Sequence, residues 1–188
     1  MKYYEMNIAG LKRQLPICRV NDELYIAGFV IFGDPELTTA CAKKLLENAP
    51  EYDYLITAEA KGIPLVHEMA RLQNNQKYIL ARKGPKLYMT NVLSATVRSI
   101  TTAKEQTLYL DGADAELMRG KRILVVDDVI STGESLHALE ALIDSAGGNI
   151  VGRMAILAEG DAIGRDDLYY IEELPLFNAD GSKKELLQ

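Results

Sequence analysis

The segment Arg122 to Ser135, RILVVDDVISTGES, sets two adjacent carboxylates, Asp127 and Asp128, shortly before a hydroxyl-rich turn made of Ser131, Thr132, Gly133, Glu134 and Ser135. Ionised carboxylates accept hydrogen bonds only, which suits the vicinal hydroxyls of a sugar. A turn that opens a helix presents free backbone N–H groups, and with Ser and Thr hydroxyls these suit a phosphate dianion. The spacing fits a ribose 5-phosphate. No Lys follows the Gly, so the triphosphate-cradling pattern G-x-x-x-x-G-K-[ST] is absent and a nucleoside triphosphatase is disfavoured.

Two further clusters could meet an anion. At Thr57 Ala58 Glu59 Ala60 Lys61 Gly62, small residues let the backbone come close to a ligand and Lys61 adds a positive charge. At Arg82 Lys83 Gly84 Pro85 Lys86 Leu87, three cations fall within five residues, and Arg can grip phosphate oxygens with two N–H groups at once. Either cluster alone would pass for an ordinary turn. Their common position at strand ends is what gives them weight.

The elements that must position these groups alternate. Ile123 to Val126 reads as a buried parallel strand. The turn after it opens a helix carried by Leu136, Leu139, Leu142, Ile143 and Ala146, which Gly147 and Gly148 stop. Tyr52 to Thr57, Lys77 to Ala81 and Val151 to Ala158 read as strands, and Ile63 to Leu72 as a helix. Repeated βαβ units predict an α/β fold with a Rossmann-like, doubly wound parallel sheet, whose ligands sit at the strands' carboxyl ends. Upstream, Pro35 to Asn48 reads as a helix with Asp34 as its N-cap and Pro35 at its first position. Val92 to Ile100 and Thr107 to Leu110 read as strand-like pieces in a looser Thr- and Ser-rich stretch.

Composition narrows the partners. With 188 residues, 48% of them hydrophobic, the chain can bury one sizeable core, and a single domain is expected over 1–188. A net charge of −6 argues against a general nucleic-acid surface, whose affinity would come from Lys and Arg. No apolar run approaches a membrane span and no export signal is seen, so no membrane partner and a cytoplasmic location are expected. Cys18 and Cys41 lack metal-ligand spacing and read as reduced packing thiols. His67 and His137 have no partner at metal-ligand spacing and read as structural.

Four apolar residues, two acids, two apolar residues and a Thr-Gly turn resemble the signature of the type I phosphoribosyltransferases. EAKG at 59–62 resembles the ESRG of adenine members and the EASG of xanthine members, and Arg82 to Leu87 matches the RKxxKL of both. The resemblance covers roughly Tyr52 to Ala158. A strand ending in two acids also begins the receiver domains of response regulators, but there it lies near the start of a domain of roughly 120 residues; here only 60 residues follow Asp128.

The resemblance implies the type I phosphoribosyltransferase fold, with a core over about 50–158, a small hood from about 1–34 and 159–188, and a flexible β-hairpin that closes over the substrate. It implies that Asp127 and Asp128 bind the ribose hydroxyls of phosphoribosyl pyrophosphate and that Ser131, Thr132, Gly133, Glu134 and Ser135 hold its 5-phosphate. Ala60, Lys61, Gly62, Arg82, Lys83 and Lys86 would meet the pyrophosphate, with Asp127, Asp128 and Lys86 counted as catalytic. Magnesium would enter with the pyrophosphate, bound directly by few or no protein groups. Base-binding candidates are Phe29, whose ring could stack on a purine although it lies in the apolar run Ile26 to Phe32, and Glu159, which could accept from a ring N–H.

The expected activity is transfer of the phosphoribosyl group to a purine base in salvage, adenine first and xanthine second, by a homodimer. Adenine members carry Tyr-x-Leu-Glu-Tyr-Gly in the hairpin, whereas this chain reads VRSITTAKEQ at Val97 to Gln106, closer to the V-x-S-x-T of xanthine members. That leaves the general acid and base of the loop unassigned. The alternative is a non-catalytic regulator that senses phosphoribosyl pyrophosphate on the same fold.

Overall fold

In the computed structural model, which describes residues 2–98 and 105–184, the alternating apolar segments form a parallel sheet flanked by helices. In chain order the elements are β1 (Tyr3–Ile8), β2 (Leu11–Arg19), β3 (Tyr25–Ala27), α1 (Pro35–Leu46), β4 (Tyr54–Ala58), α2 (Ile63–Leu72), β5 (Ile79–Ala81), β6 (Leu93–Arg98) and β7 (Glu105–Leu110). They continue as α3 (Gly112–Met118), β8 (Arg122–Ile130), α4 (Glu134–Ala146), β9 (Asn149–Glu159), a single 3-10 turn, β10 (Tyr169–Leu174) and β11 (Leu176–Phe177). The main sheet has the order β10-β9-β8-β4-β5 with every pair parallel. From β4 the chain winds outward to β5, and from β8 it winds the other way through β9 to β10. The switch point lies between β4 and β8, where such sheets open a crevice at their carboxyl ends.

Two apolar layers hold the sheet. On one face, Leu55, Leu124, Val126, Met154 and Ile156 pack with α1 and α2 and with Met6, Ile8 and Leu15 of a second, antiparallel sheet of order β1-β2-β3-β11. On the other, Ile56, Val125 and Ala155 meet Leu136, Leu139 and Leu142 of α4 and Leu108 and Leu110 of β7. The β6–β7 hairpin is antiparallel, with Leu93 opposite Leu110 and Arg98 opposite Glu105. Residues 99–104 of the expected substrate-covering loop lie outside the described residues.

Several elements differ from the sequence reading. β8 does not stop at Val126 but runs through both acids to Ile130, because its edge toward β9 stays paired as far as Ile130 opposite Ala158. The β1–β2 hairpin, α3 and the edge strand β10 are additions. The hairpin turns at Ala9 and Gly10, both at positive φ (50° and 85°), a conformation Gly takes freely and Ala rarely.

The start of α1 follows its sequence signals. Asp34 accepts from the Leu37 N–H at 3.0 Å, and Arg13 of β2 grips the same carboxylate at 2.6 and 3.1 Å. The Arg13 guanidinium, outweighing a partial desolvation, holds Asp34 below the usual carboxylate range. Asp34→Ala removes cap and ion pair together and is expected to cost about 1–2 kcal/mol of stability. Asp34→Asn keeps the cap and should recover roughly half of that loss; equal melting temperatures for the two variants would refute this division.

Candidate active site

The acids stand where β8 outruns its neighbour. β4 pairs with β8 only through Ile56 opposite Val125, so Asp127 and Asp128 lie beyond the end of that ladder, at the switch point; of the two, only Asp127 lines a cavity among the described residues. As successive strand residues they point to opposite faces. Asp128 is 3% exposed, and its Oδ2 lies 2.7 Å from Lys61 Nζ in an ion pair that is not a directed hydrogen bond. Asp127 is half-buried, and its Oδ1 accepts from the Asp128 N–H at 2.8 Å. Burial, reinforced by the adjacent Asp128 carboxylate, pushes the Asp127 carboxyl well above its ordinary value.

Lys61 belongs to the turn between β4 and α2. Its ammonium also reaches the Phe29 carbonyl at 3.5 Å. The bond between Glu59 and Ala60 is cis. Gly62 ends the turn at φ −68°, so its backbone does not require glycine; the space does. An added Cβ would lie 2.1 Å from the buried Thr57 Oγ1 and 3.1 Å from Asp127 Oδ1. Sequence reasoning assigns this glycine to room for a ligand. Its immediate neighbours are instead Thr57 and one of the two acids.

Glu59 ties the two cationic turns together. Its Oε1 pairs with Arg82 Nη2 at 3.2 Å and its Oε2 accepts from the Lys83 N–H at 3.0 Å. The Arg82 charge is therefore already partnered, while its buried Nε has no hydrogen-bond partner among the described residues. Backbone bonds of 2.8 Å in both directions between Arg82 and Tyr109 fix this turn against β7. Lys83 is exposed and Lys86 half-buried, both after β5 on the same sheet edge.

The third turn, Ser131 to Ser135, leads into α4. Gly133 sits in the left-handed region at φ 79°, and among the described residues no side chain caps the helix, which leaves first-turn N–H groups available to an anion. Together with Asp127, Val129, Ile130, Leu136 and Gln106, the turn lines a cavity of about 110 Å³. Gln106 comes from β7 and lies outside the sequence-read site. Its Nε2 donates to Ser135 Oγ at 2.9 Å, and Ser135 Oγ stands 3.1 Å from its Oε1. Behind the turn, Arg165 Nη1 would lie 3.3 Å from a Cβ on Gly133, and Arg165 pairs with Asp167 at 2.8 Å. His137 bonds Glu140 at 3.1 Å, and His67 meets the Tyr78 ring edge-on at a centroid distance of 6.0 Å.

Phe29 needs correction. The residue is 5% exposed and packed in the core with Ile31, Leu65 and Val66, while Val30 and Phe32 of the same run are exposed; only the Phe29 carbonyl meets the site, through Lys61. Glu159 closes β9 half-buried, and desolvation raises its carboxyl while the Lys61 charge opposes the shift. Thr57 and Glu59 fall in the cluster at 57–62 and Gln106 at the end of the stretch 97–106, but the sequence assigns none of the three a role of its own.

Comparison with known proteins agrees with this geometry. The phosphoribosyl transferase domain family model matches residues 36–178. An adenine phosphoribosyltransferase of Petrotoga mobilis is 30% identical over 128 residues, covering 67% of this chain and 70% of that one. A hypoxanthine/guanine phosphoribosyltransferase of Methanohalobium evestigatum is 31% identical (77% and 74% covered), and a xanthine phosphoribosyltransferase of Exiguobacterium sp. 29% (75% and 75% covered). The crystal structure of an adenine phosphoribosyltransferase from Thermoanaerobacter pseudethanolicus shares the fold at a TM-score of 0.66 and 17% identity, over 92% of this chain and 95% of that one. The acid pair at the switch point, the phosphate-type turn beside it and these matches lead to one conclusion: the chain belongs to the type I phosphoribosyltransferases, pentosyltransferase enzymes, in their adenine/xanthine branch.

Proposed function

We propose that this enzyme transfers the phosphoribosyl group of phosphoribosyl pyrophosphate to a purine base, adenine first and xanthine second, releasing a nucleoside 5-monophosphate and pyrophosphate. The observation that carries the reading is that Asp127 lines the phosphate cavity while Asp128 pairs with Lys61 of the neighbouring turn. In this reading the C1–oxygen bond to pyrophosphate breaks as a base nitrogen bonds to C1, and positive character builds on the sugar. The acid pair holds the ribose hydroxyls, the Ser131–Ser135 turn fixes the 5-phosphate, and Lys83, Lys86 and the Arg82 turn take up the charge of the leaving group. Lys61 exchanges Asp128 for pyrophosphate oxygens when the donor binds, which frees that carboxylate for the sugar.

Asp128 Oδ2, a buried hard oxygen paired only with the Lys61 ammonium among the described residues, would be an oxygen of the acid pair free to meet a magnesium ion arriving with the pyrophosphate once Lys61 turns away, the ion keeping few or no direct protein ligands. Such an ion would neutralise leaving-group charge. We further read the β1-β2-β3-β11 sheet as the hood over the base, with Glu159 beneath it, and the enzyme as a cytoplasmic homodimer. Among the described residues no helix is long and apolar enough to cross a membrane.

Adenine stands first on EAKG and RKGPKL, and xanthine second on VRSIT. An assay of adenine, xanthine, hypoxanthine and guanine with phosphoribosyl pyrophosphate and magnesium tests the order. Turnover is expected with adenine, with xanthine next. Faster turnover of either other base would overturn the ranking, and turnover of none beside measurable donor binding would leave a donor sensor.

A further inference from the structure

We propose that Gln106 is a ligand of the donor's 5-phosphate, supplied by the hairpin rather than by the phosphate turn. Among the described residues Gln106 is the one hairpin residue in the wall of the 110 Å³ cavity; the others come from β8, the turn and the first residues of α4. Its carboxamide already lies against the turn, with Nε2 donating to Ser135 Oγ at 2.9 Å. An amide nitrogen carries two N–H donors, and this bond uses one of them. A hydroxyl offers one proton, which Ser135 shares with Gln106 Oε1 at 3.1 Å.

A phosphate dianion in the cavity accepts from both groups at once. The Ser135 hydroxyl turns from Oε1 to a phosphate oxygen, and the remaining Nε2–H of Gln106 bonds a second one, joining the N–H groups at the uncapped start of α4. β7 is held to the core by buried Leu108 and Leu110, and Arg82 pairs with Tyr109 just before the strand ends. The carboxamide is thus carried on a strand with a fixed register, and phosphate binding does not have to order it from a free loop.

This inference rests on the phosphoribosyl pyrophosphate reading, and binding measurements separate the two. Calorimetric titration of phosphoribosyl pyrophosphate with magnesium into the native enzyme, Gln106→Ala and Gln106→Glu is the test. Gln106→Ala should weaken donor binding about tenfold, the scale of one hydrogen bond to a charged group. Gln106→Glu keeps the shape and can still accept from the Ser135 hydroxyl, so a purely structural role predicts near-native binding. As a phosphate ligand it sets a carboxylate against a dianion, and binding should fall further than in the Ala variant. The KM for the base should change less than twofold in Gln106→Ala, and its melting curve should stay cooperative. Absence of donor binding to the native enzyme would overturn the donor reading itself. Native donor binding with Gln106→Glu or Gln106→Ala within twofold of it would overturn the assignment of Gln106 alone.

Discussion

Replacing Asp127 and Asp128 together by Asn should lower kcat/KM by a factor of about 10² to 10⁴ while leaving the enzyme folded. Each acid lost removes a hydrogen bond to a ribose hydroxyl, worth about 1.5–3 kcal/mol once donor binding has ionised the carboxyl, and about 1.4 kcal/mol corresponds to a factor of ten. The fold should survive because the carboxamide that replaces the Asp127 carboxylate retains a carbonyl able to accept the next backbone N–H, the bond Asp127 Oδ1 makes at 2.8 Å. Lys61 loses its ion-pair partner, yet its side chain is 43% exposed, so water can solvate the ammonium. Activity within threefold of the native enzyme would refute the placement of the sugar.

The first of these substitutions, made alone, separates catalysis from stability. Asp127 is held above its ordinary value of 3.8, first by burial and then by the Asp128 carboxylate. Between that value and the raised one, the folded chain keeps a proton that the unfolded chain has released. The unfolded state binds fewer protons there, so stability falls as pH rises. Asp127→Asn carries no such penalty. Its melting temperature should therefore exceed the native one by more at about pH 7.5 than at about pH 5; a pH-independent difference would show that the carboxyl is not destabilised by its surroundings. The acid that serves the sugar is one the fold carries at a cost.

The parts legible in the sequence are those whose physics is local. Asp34 and Pro35 mark the start of α1, and Gly147 marks the end of α4 at φ 76°. The apolar runs mark β4, β8 and β9. The length of β8 is not legible, since two adjacent carboxylates read as a strand end and only pairing with β9 carries the strand through them. The β1–β2 hairpin is hidden by its turn, which uses Ala9 where Asn or Asp would have announced positive φ. In the site, the cationic character of the Arg82 turn is legible but the clamp from Glu59 is not, because the two are far apart in the chain and meet only across the β4–β5 pair. Gln106 is equally silent: a polar residue in a Thr- and Ser-rich stretch acquires meaning only when β7 crosses the start of α4. Phe29 misleads in the opposite sense, because an aromatic ring in an apolar run satisfies core packing and base stacking alike.

Gly62→Ala should abolish most activity through a contact that no ligand makes. The glycine backbone is helical at φ −68° and ψ −15°, so alanine suits it conformationally and would by itself add stability. The obstacle is Thr57, whose hydroxyl would sit 2.1 Å and whose Cβ 3.3 Å from the new methyl. Thr57 is fully buried and cannot swing into solvent, so either its rotamer or the whole turn must shift. Overpacking of this kind costs about 1–3 kcal/mol. The shift also reaches Asp127 Oδ1, 3.1 Å from the added carbon, and displacing a catalytic group by about 1 Å lowers rates on the order of a hundredfold. The expected result is a destabilised enzyme with about a hundredfold lower kcat/KM and a weakened affinity for pyrophosphate. Thr57→Ala added to Gly62→Ala removes the hydroxyl behind the worst contact, so the double variant should recover part of both losses. If Gly62→Ala alone melts and turns over like the native enzyme, the turn has room that this packing denies it. If the double variant is no better than the single, the damage runs through Asp127 rather than Thr57, and the acid pair is more sensitive to its neighbours than its burial suggests.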